Sequence, residues 1–243
     1  MISKRKFRHK PIYKKLTLLR KNVQNRSKLF KFKRRKWAFL LLQLSRISKT
    51  DKRNCYYKFY DQNVYYVPKY NNFFSRNFKQ NLNNKRSFKL FYGNLLRKNL
   101  KKNVKTAKIL SSKVRNEFHS RTFFKELYER RLDVIIVRSH LALSIMNARQ
   151  LISHGHVFIN NSRVNDASIF VNEGDVITFS KKSHKLLEYY ILNSDLWPLP
   201  PKHLQVSYKL LQIQMIGDVK LTNDSNVFST WLNVSTLMES YRH

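Results

Sequence analysis

The sequence predicts an α+β protein: a mostly helical body, an inserted module of two helices packed on a small β-sheet, and an extended basic N-terminal arm. Three observations carry that reading. Residues 131–180 are punctuated in order as helix, helix, strand, turn and strand. Apolar residues on either side of that stretch return at helical spacing. Before Glu117 the only acids are Asp51 and Asp61, so the first half of the chain is almost uniformly cationic.

The arm spans 1–80. It opens with "MISKRKFRHKPIYKKLTLLRKNV", which lacks acids and imitates a transit peptide. The segment runs without a break into more of the same, and is read as RNA-contacting arm. "KLFKFKRRKWAFLLLQLSR" (28–46) predicts a basic amphipathic helix. Its apolar run "WAFLLLQL" is far too short to span a bilayer. "NCYYKFYDQNVYYVPKYNNFFSRNFKQNLNNKR" (54–86) alternates Tyr and Phe with Asn, Lys and Arg and holds no sustained period. It is read as irregular chain whose aromatics pack on a partner or stack on unpaired bases, a small aromatic core being the alternative. Lys85 and Arg86 close it with two candidate RNA-binding cations.

The helical body is assigned to 81–130 and 181–243, the latter including a returning C-terminal segment. Helix signals return over 87–109; Gly93 interrupts them, and Leu95, Leu96 and Leu100 then line one face. Arg97, Lys98, Lys101 and Lys102 lie on or beside the other, the first three being candidate RNA contacts. Ser120 is placed to cap a helix over Phe123–Arg130 that contains Glu126 and Glu129.

The module is assigned to 131–180. On a helix from Arg131 to His140, the residues Leu132, Ile135, Ile136 and Ser139 fall on one buried stripe. Ser144 is a good N-cap for a second helix over 145–153, with Ile145, Ala148, Leu151 and Ile152 on its apolar side. "HG" at 154–155 stops it, Gly155 supplying the left-handed residue. "HVFIN" alternates like a strand, and Asn160-Asn161 suits the positive φ values of a tight turn. Arg163 begins the return strand, and "NEGDVITF" (172–179) gives a turn at Gly174 and another strand. A unit of this size buries too little surface to be stable alone, so it needs its flanks or a partner. The expected exposed set is Arg131, Arg138, Arg149, Gln150, Ser153, His154, His156, Asn161 and Arg163. Arginine forks suit phosphates, while amides and imidazoles reach sugars and base edges.

Charge limits the function classes. The 243 residues hold 49 Lys+Arg against 14 Asp+Glu, a formal +35. Such a chain repels itself when compact and calls for a polyanion, of which nucleic acid is the usual one. The single Cys55 excludes an internal disulfide and any Cys-based zinc site. "HGH" (154–156) has no third or fourth ligand at workable spacing, so no metal is expected. Four Gly residues argue against a Gly-rich nucleotide loop, and no cofactor is expected. The richness in Lys, Asn, Phe, Tyr and Ile, all with A/T-rich codons, points to an AT-rich genome such as an organelle's own.

Residues 131–175 resemble the RNA-binding module named after small-subunit ribosomal protein S-four. The resemblance rests on Arg131-Leu132-Asp133, "ARQLISH" (148–154), "GHVFIN" (155–160), "RVN" (163–165) and "EGD" (173–175). "KLFYGNLLRKNLKK" and "LYERRLD" are similar to that ribosomal family's flanks, and "PPKHLQV" (200–206) and "LMESYRH" are similar to its C-terminal segment. "LTLLRKNVQNRSKLFKFKRRK" resembles mitochondrially encoded plant members. Residues 47–86 match nothing in the family. Three departures stand out: Ile145 replaces a basic residue, Asn161 replaces the hairpin Gly, and a bacterial Cys cluster is absent.

The resemblance implies a structural small-subunit protein that binds a multi-helix junction of rRNA, acts early in assembly and lies where mRNA enters. Implied neighbours are the small-subunit proteins S-five and S-three. No membrane association or homo-oligomer is expected. The implied place is the ribosome of the mitochondrial matrix, with the plastid as the alternative. RNA-binding residues would be those named above, with Ser144 and Asn160. Asp133, Gly93, Gly155 and Gly174 would be structural. The alternative function is a free RNA-binding or RNA-modifying protein. "RLD" also resembles the catalytic Asp segment of pseudouridine synthases, but it lacks their downstream context. Asp133 is therefore expected to act structurally, near a helix N-terminus where a carboxylate is favoured.

Overall fold

The computed structural model describes residues 73–113, 120–194, 200–217 and 234–241, with Leu18, Leu19, Val23, Arg35, Phe39 and Leu42 placed singly. The helix expected over 28–46 lies outside the described residues, except that Arg35, Phe39 and Leu42 are each helical. So does the aromatic stretch up to residue 72. The chain divides into two compact units, Met1–Phe91 and Tyr92–His243.

In the first unit, α1 spans Phe73–Phe91. This corrects the reading of 54–86 as irregular chain throughout. No Gly or Pro stands between Pro68 and Gly93, so nothing breaks the backbone ladder. The many Asn and Lys residues dilute the apolar period without ending the helix. Lys85 and Arg86 sit on α1, the first half-buried and the second exposed.

The second unit begins at a corner. Gly93 and Asn94 both take positive φ, 74° and 61°. From there α2 (Arg97–Lys113) buries Leu100, Val104 and Ala107, a stripe spaced four and three apart. Leu95 is buried but Leu96 is exposed, so the two do not share a face as expected. The helix starts at Arg97, which leaves Leu96 in the loop before the stripe begins. Packed on α2, α3 (Ser120–Glu129) buries Phe123, Phe124 and Tyr128. Ser120 is its first helical residue rather than a cap ahead of Phe123.

Almost without a loop, α4 (Leu132–Arg138) follows, its first turn and Ile135 and Ile136 fully enclosed. Ser144 then caps α5 (Ile145–Ser153) by accepting a bond from the Asn147 backbone N–H at 3.3 Å. Gly155, at φ 72°, turns the chain into β1 (Val157–Ile159). Asn160 and Asn161, at φ 46° and 66°, make the turn to β2 (Ser162–Arg163). The short polar side chain of Asn tolerates this left-handed region, which is how the hairpin manages without glycine. β3 (Val176–Phe179) completes the segment recognised from sequence.

Next come a 3-10 turn (Lys181–Ser183), α6 (His184–Leu192), β4 (Leu204–Ser207), β5 (Gln212–Met215) and α7 (Val234–Glu239). The sheet is antiparallel with order β2-β1-β3-β5-β4. Residues 200–217, read from sequence as part of the helical body and its returning segment, thus finish the module's own sheet. The physical reason is the exposed edge of β3: a three-strand sheet leaves unpaired backbone groups there, and β5 covers them. One core results, shared by α4, α5, the sheet and Leu187 of α6. The body–module boundary drawn at residue 130 falls inside a single unit.

Candidate nucleic-acid interface

Three acids of the second unit are enclosed and paired with arginines, while Asp166, Glu173, Glu188 and Glu239 are exposed. Glu126, Glu129 and Asp133 are all buried, with Asp133 at 0% exposure. Asp133 lies in the first turn of α4. It accepts two bonds from Arg131, at 3.1 and 3.0 Å, and one from Arg149 Nε at 2.7 Å. The other two nitrogens of Arg149 donate to the carbonyls of Gly93 and Tyr92, at 2.6 and 3.1 Å. Glu129 accepts from the Tyr92 hydroxyl at 2.6 Å and from both Arg138 Nε and an Arg138 amino group at 3.2 Å. Burial and the Glu129 charge together hold the Tyr92 hydroxyl well above its ordinary pKa. Arg130 bridges Glu126 at 3.0 Å, the Val171 carbonyl at 3.1 Å and the Asn172 side chain.

These bonds correct the expected exposed set. Arg131, Arg138 and Arg149 do not project freely from the module; each has its fork committed to a buried carboxylate. The carboxylates stand two, nine and sixteen residues from their arginines, and the fold rather than the spacing brings the last two pairs together. Two further side chains are engaged locally. Ser144 serves as the α5 cap. Asn160 donates to Asp175 at 2.8 Å and accepts from the Val176 N–H at 3.0 Å, which fixes the hairpin turn.

The remaining candidates divide among several places. Gln150, Ser153, His154 and Arg163 are exposed around the end of α5 and the start of the sheet. Arg163 lies across Gly155, where a Cβ would overlap its guanidinium, and donates to the His154 carbonyl at 3.3 Å. The rings of His154 and His156 stand 6.2 Å apart, and His156 Nδ1 is 2.9 Å from the Ser180 hydroxyl. Asn161 is exposed at the β1–β2 turn. Arg97, Lys98 and Lys101 are exposed on α2. Lys181 and Lys182, exposed just after β3, were missed because no helix or strand face was assigned to them.

The arrangement is a frame braced by internal ion pairs, with cations, amides and the His154 imidazole facing solvent and His156 half-buried beside them. It can hold phosphates and reach sugar or base edges. Asp133 is enclosed and triply bonded. Among the described residues there is no cluster of three or more His, Cys, Asp or Glu suited to a metal ion. None of the described helices is long and apolar enough to cross a membrane.

The family described as S4 domain matches residues 130–177. The chain is 34% identical over 128 residues to small ribosomal subunit protein uS4 of Granulibacter bethesdensis, covering 53% of this chain and 60% of that one. It is 39% identical over 97 residues to the uS4 of Halothermothrix orenii, covering 39% and 46%. With the uS4 of Chlamydia muridarum it shares 31% identity over 164 residues, 67% of this chain and 75% of that one. The chain thus spans between about half and three quarters of the length of these relatives.

Proposed function

We propose, from the premise that the chain belongs to the family of small ribosomal subunit protein uS4, that it is a structural, rRNA-binding constituent of a small ribosomal subunit. The observation that carries the reading is the internal pairing of four arginines in the second unit, with Arg97, Lys98, Lys101 and Arg163 left at its surface. Its buried acids neutralise Arg130, Arg131, Arg138 and Arg149 inside the frame. The net +35 of the chain is left for a partner, and a polyanion is what offsets it.

The mechanism is charge neutralisation with shape reading. Arg97, Lys98 and Lys101 on α2, and Gln150, Ser153, His154, His156, Asn161 and Arg163 on the module, are the proposed RNA contacts of the second unit. Lys85 and Arg86 serve the first. The finer proposal is binding at a junction of rRNA helices early in assembly, near where mRNA enters. Proteins homologous to S-five and S-three would be neighbours there. The A/T-biased composition and the resemblance to plant members support a mitochondrial, organelle-encoded ribosome. The role is structural; the enclosure of Asp133 speaks against the pseudouridine-synthase reading.

Sedimentation tests this. A ribosomal constituent co-migrates with the small subunit through a high-salt wash, because many contacts share the load. Release of the protein by that wash, with the subunit intact, would favour a free RNA-modifying protein instead.

A further inference from the structure

We propose that the outer face of the five-stranded sheet is a platform for unpaired nucleotides, with Phe158 as the stacking ring and Arg163 as its phosphate contact. The proposal rests on the RNA-binding reading above and adds the class of RNA this face takes.

Successive strand residues point to opposite faces of a sheet. Val157 and Ile159 on β1, Ile177 and Phe179 on β3, and Ile213 and Met215 on β5 all belong to or pack on the core beneath α4 and α5. Phe158 lies between two of them and outside that core, half-buried on the other face. In register it stands opposite Arg163 on one side and Thr178 on the other. Directly opposed antiparallel residues hold their Cβ atoms about 4.5–5.5 Å apart, so these three form one continuous row. Further across, Val176 opposes Gln214 and Gln214 opposes Gln205, giving exposed neutral amides. The outward positions of the described strands carry no carboxylate.

Charge and shape together choose the occupant. Arg163 and the neighbouring exposed Lys181 and Lys182 suit a polyanion. A duplex keeps its bases stacked inside and offers an aromatic ring nothing to stack on. An unpaired base offers a flat face to Phe158, its phosphate reaches Arg163, and amides can bond base edges with little sequence demand. An acidic protein segment would use the cations but leave the outward ring and the amide row without a role.

The test titrates the full-length chain with a labelled oligouridylate of about twelve nucleotides and with an RNA duplex of similar length, a size within the usual range for single-strand sites. Phe158→Leu keeps apolar bulk but loses the ring; Phe158→Tyr keeps the ring. Phe158→Leu should weaken single-strand binding roughly 5- to 100-fold, leave duplex binding and the salt slope unchanged, and be matched by no loss in Phe158→Tyr. If the Leu variant does not stay folded, Arg163→Ala carries the same test. Its log K against log salt slope should fall by about 0.7 for the single strand only. Retention of both RNAs by Phe158→Leu, or equal loss of both, would overturn the platform; retention would leave the face to a protein neighbour. Failure of the unaltered chain to bind either RNA would instead overturn the rRNA reading and the platform together.

Discussion

Arg149 Nε lies 2.7 Å from Asp133 Oδ2, and the same guanidinium reaches across to the carbonyls of Gly93 and Tyr92. One planar fork therefore joins α4, α5 and the corner that precedes α2. The residue that most resembles an RNA-contacting arginine in the sequence is an internal brace. Removing Arg149 leaves the enclosed Asp133 with Arg131 as its one cation and strips a donor from the Gly93 and Tyr92 carbonyls. Arg149→Leu should cost about 3 kcal/mol of unfolding free energy in urea. Arg149→Lys should recover little of it, because an ammonium cannot serve three acceptors in that geometry. Full recovery by Lys would show that charge alone matters and that the fork does not.

The corner itself gives the next expectation. At Gly93 a Cβ would approach Ile145 Cγ2 to 2.6 Å and an Arg149 nitrogen to 2.9 Å, on a backbone at φ 74°. Gly174 has a similar φ of 87° but open space around it. Gly93→Ala should therefore cost roughly 2–4 kcal/mol and Gly174→Ala only about 1. Thermal unfolding of the two variants side by side checks this; equal shifts would mean that backbone conformation alone decides.

These two residues also mark what sequence reasoning reaches. Ser144, Gly155 and the Asn160-Asn161 turn were legible because each rests on local chemistry: a cap, a helix stop, a positive φ. The stripes of α4 and α5 were legible because period alone sets them. The pairing of Arg149 with Asp133 was not, since sixteen residues and a change of helix direction separate them. Nor was the addition of β4 and β5 to the sheet, which depends on an unsatisfied edge far upstream in the chain. The part of α1 before residue 87 was missed for a different reason: its apolar spacing is diluted, and the absence of breakers is a weaker signal than a period.

Tyr128 predicts an alkaline transition. Burial is the main cause that pushes its hydroxyl up from 10.0 to about 12, with the Asn103 side chain opposing it. A raised folded pKa stabilises the protein below the unfolded value and is lost as pH rises through the folded one. Its contribution is thus intact below about pH 10 and disappears towards pH 12. Phenolate absorbance should show a tyrosine fraction titrating late, together with loss of stability in that window. Tyr128→Phe should remove part of the late fraction. An unchanged titration curve in that variant would place the late fraction elsewhere.

The last expectation separates phosphate contacts from internal pairs. Each phosphate neutralised on duplex RNA-like polyanions adds close to one unit to the slope of log K against log salt, and about six to ten contacts lower affinity about 10³–10⁵-fold between 50 and 200 mM. Arg131, Arg138 and Arg149 already have carboxylate partners. Neutralising any of them should lower stability, and affinity through it, without flattening the slope. Arg97→Ala and Lys101→Ala remove exposed cations from α2, and should each reduce the slope by about one while leaving stability within about 0.5 kcal/mol. Filter binding to small-subunit rRNA over a salt series, with urea unfolding of the same variants, gives both quantities. A slope that falls as far in Arg149→Leu as in Arg97→Ala would mean that the brace opens on RNA and that Arg149 exchanges Asp133 for a phosphate.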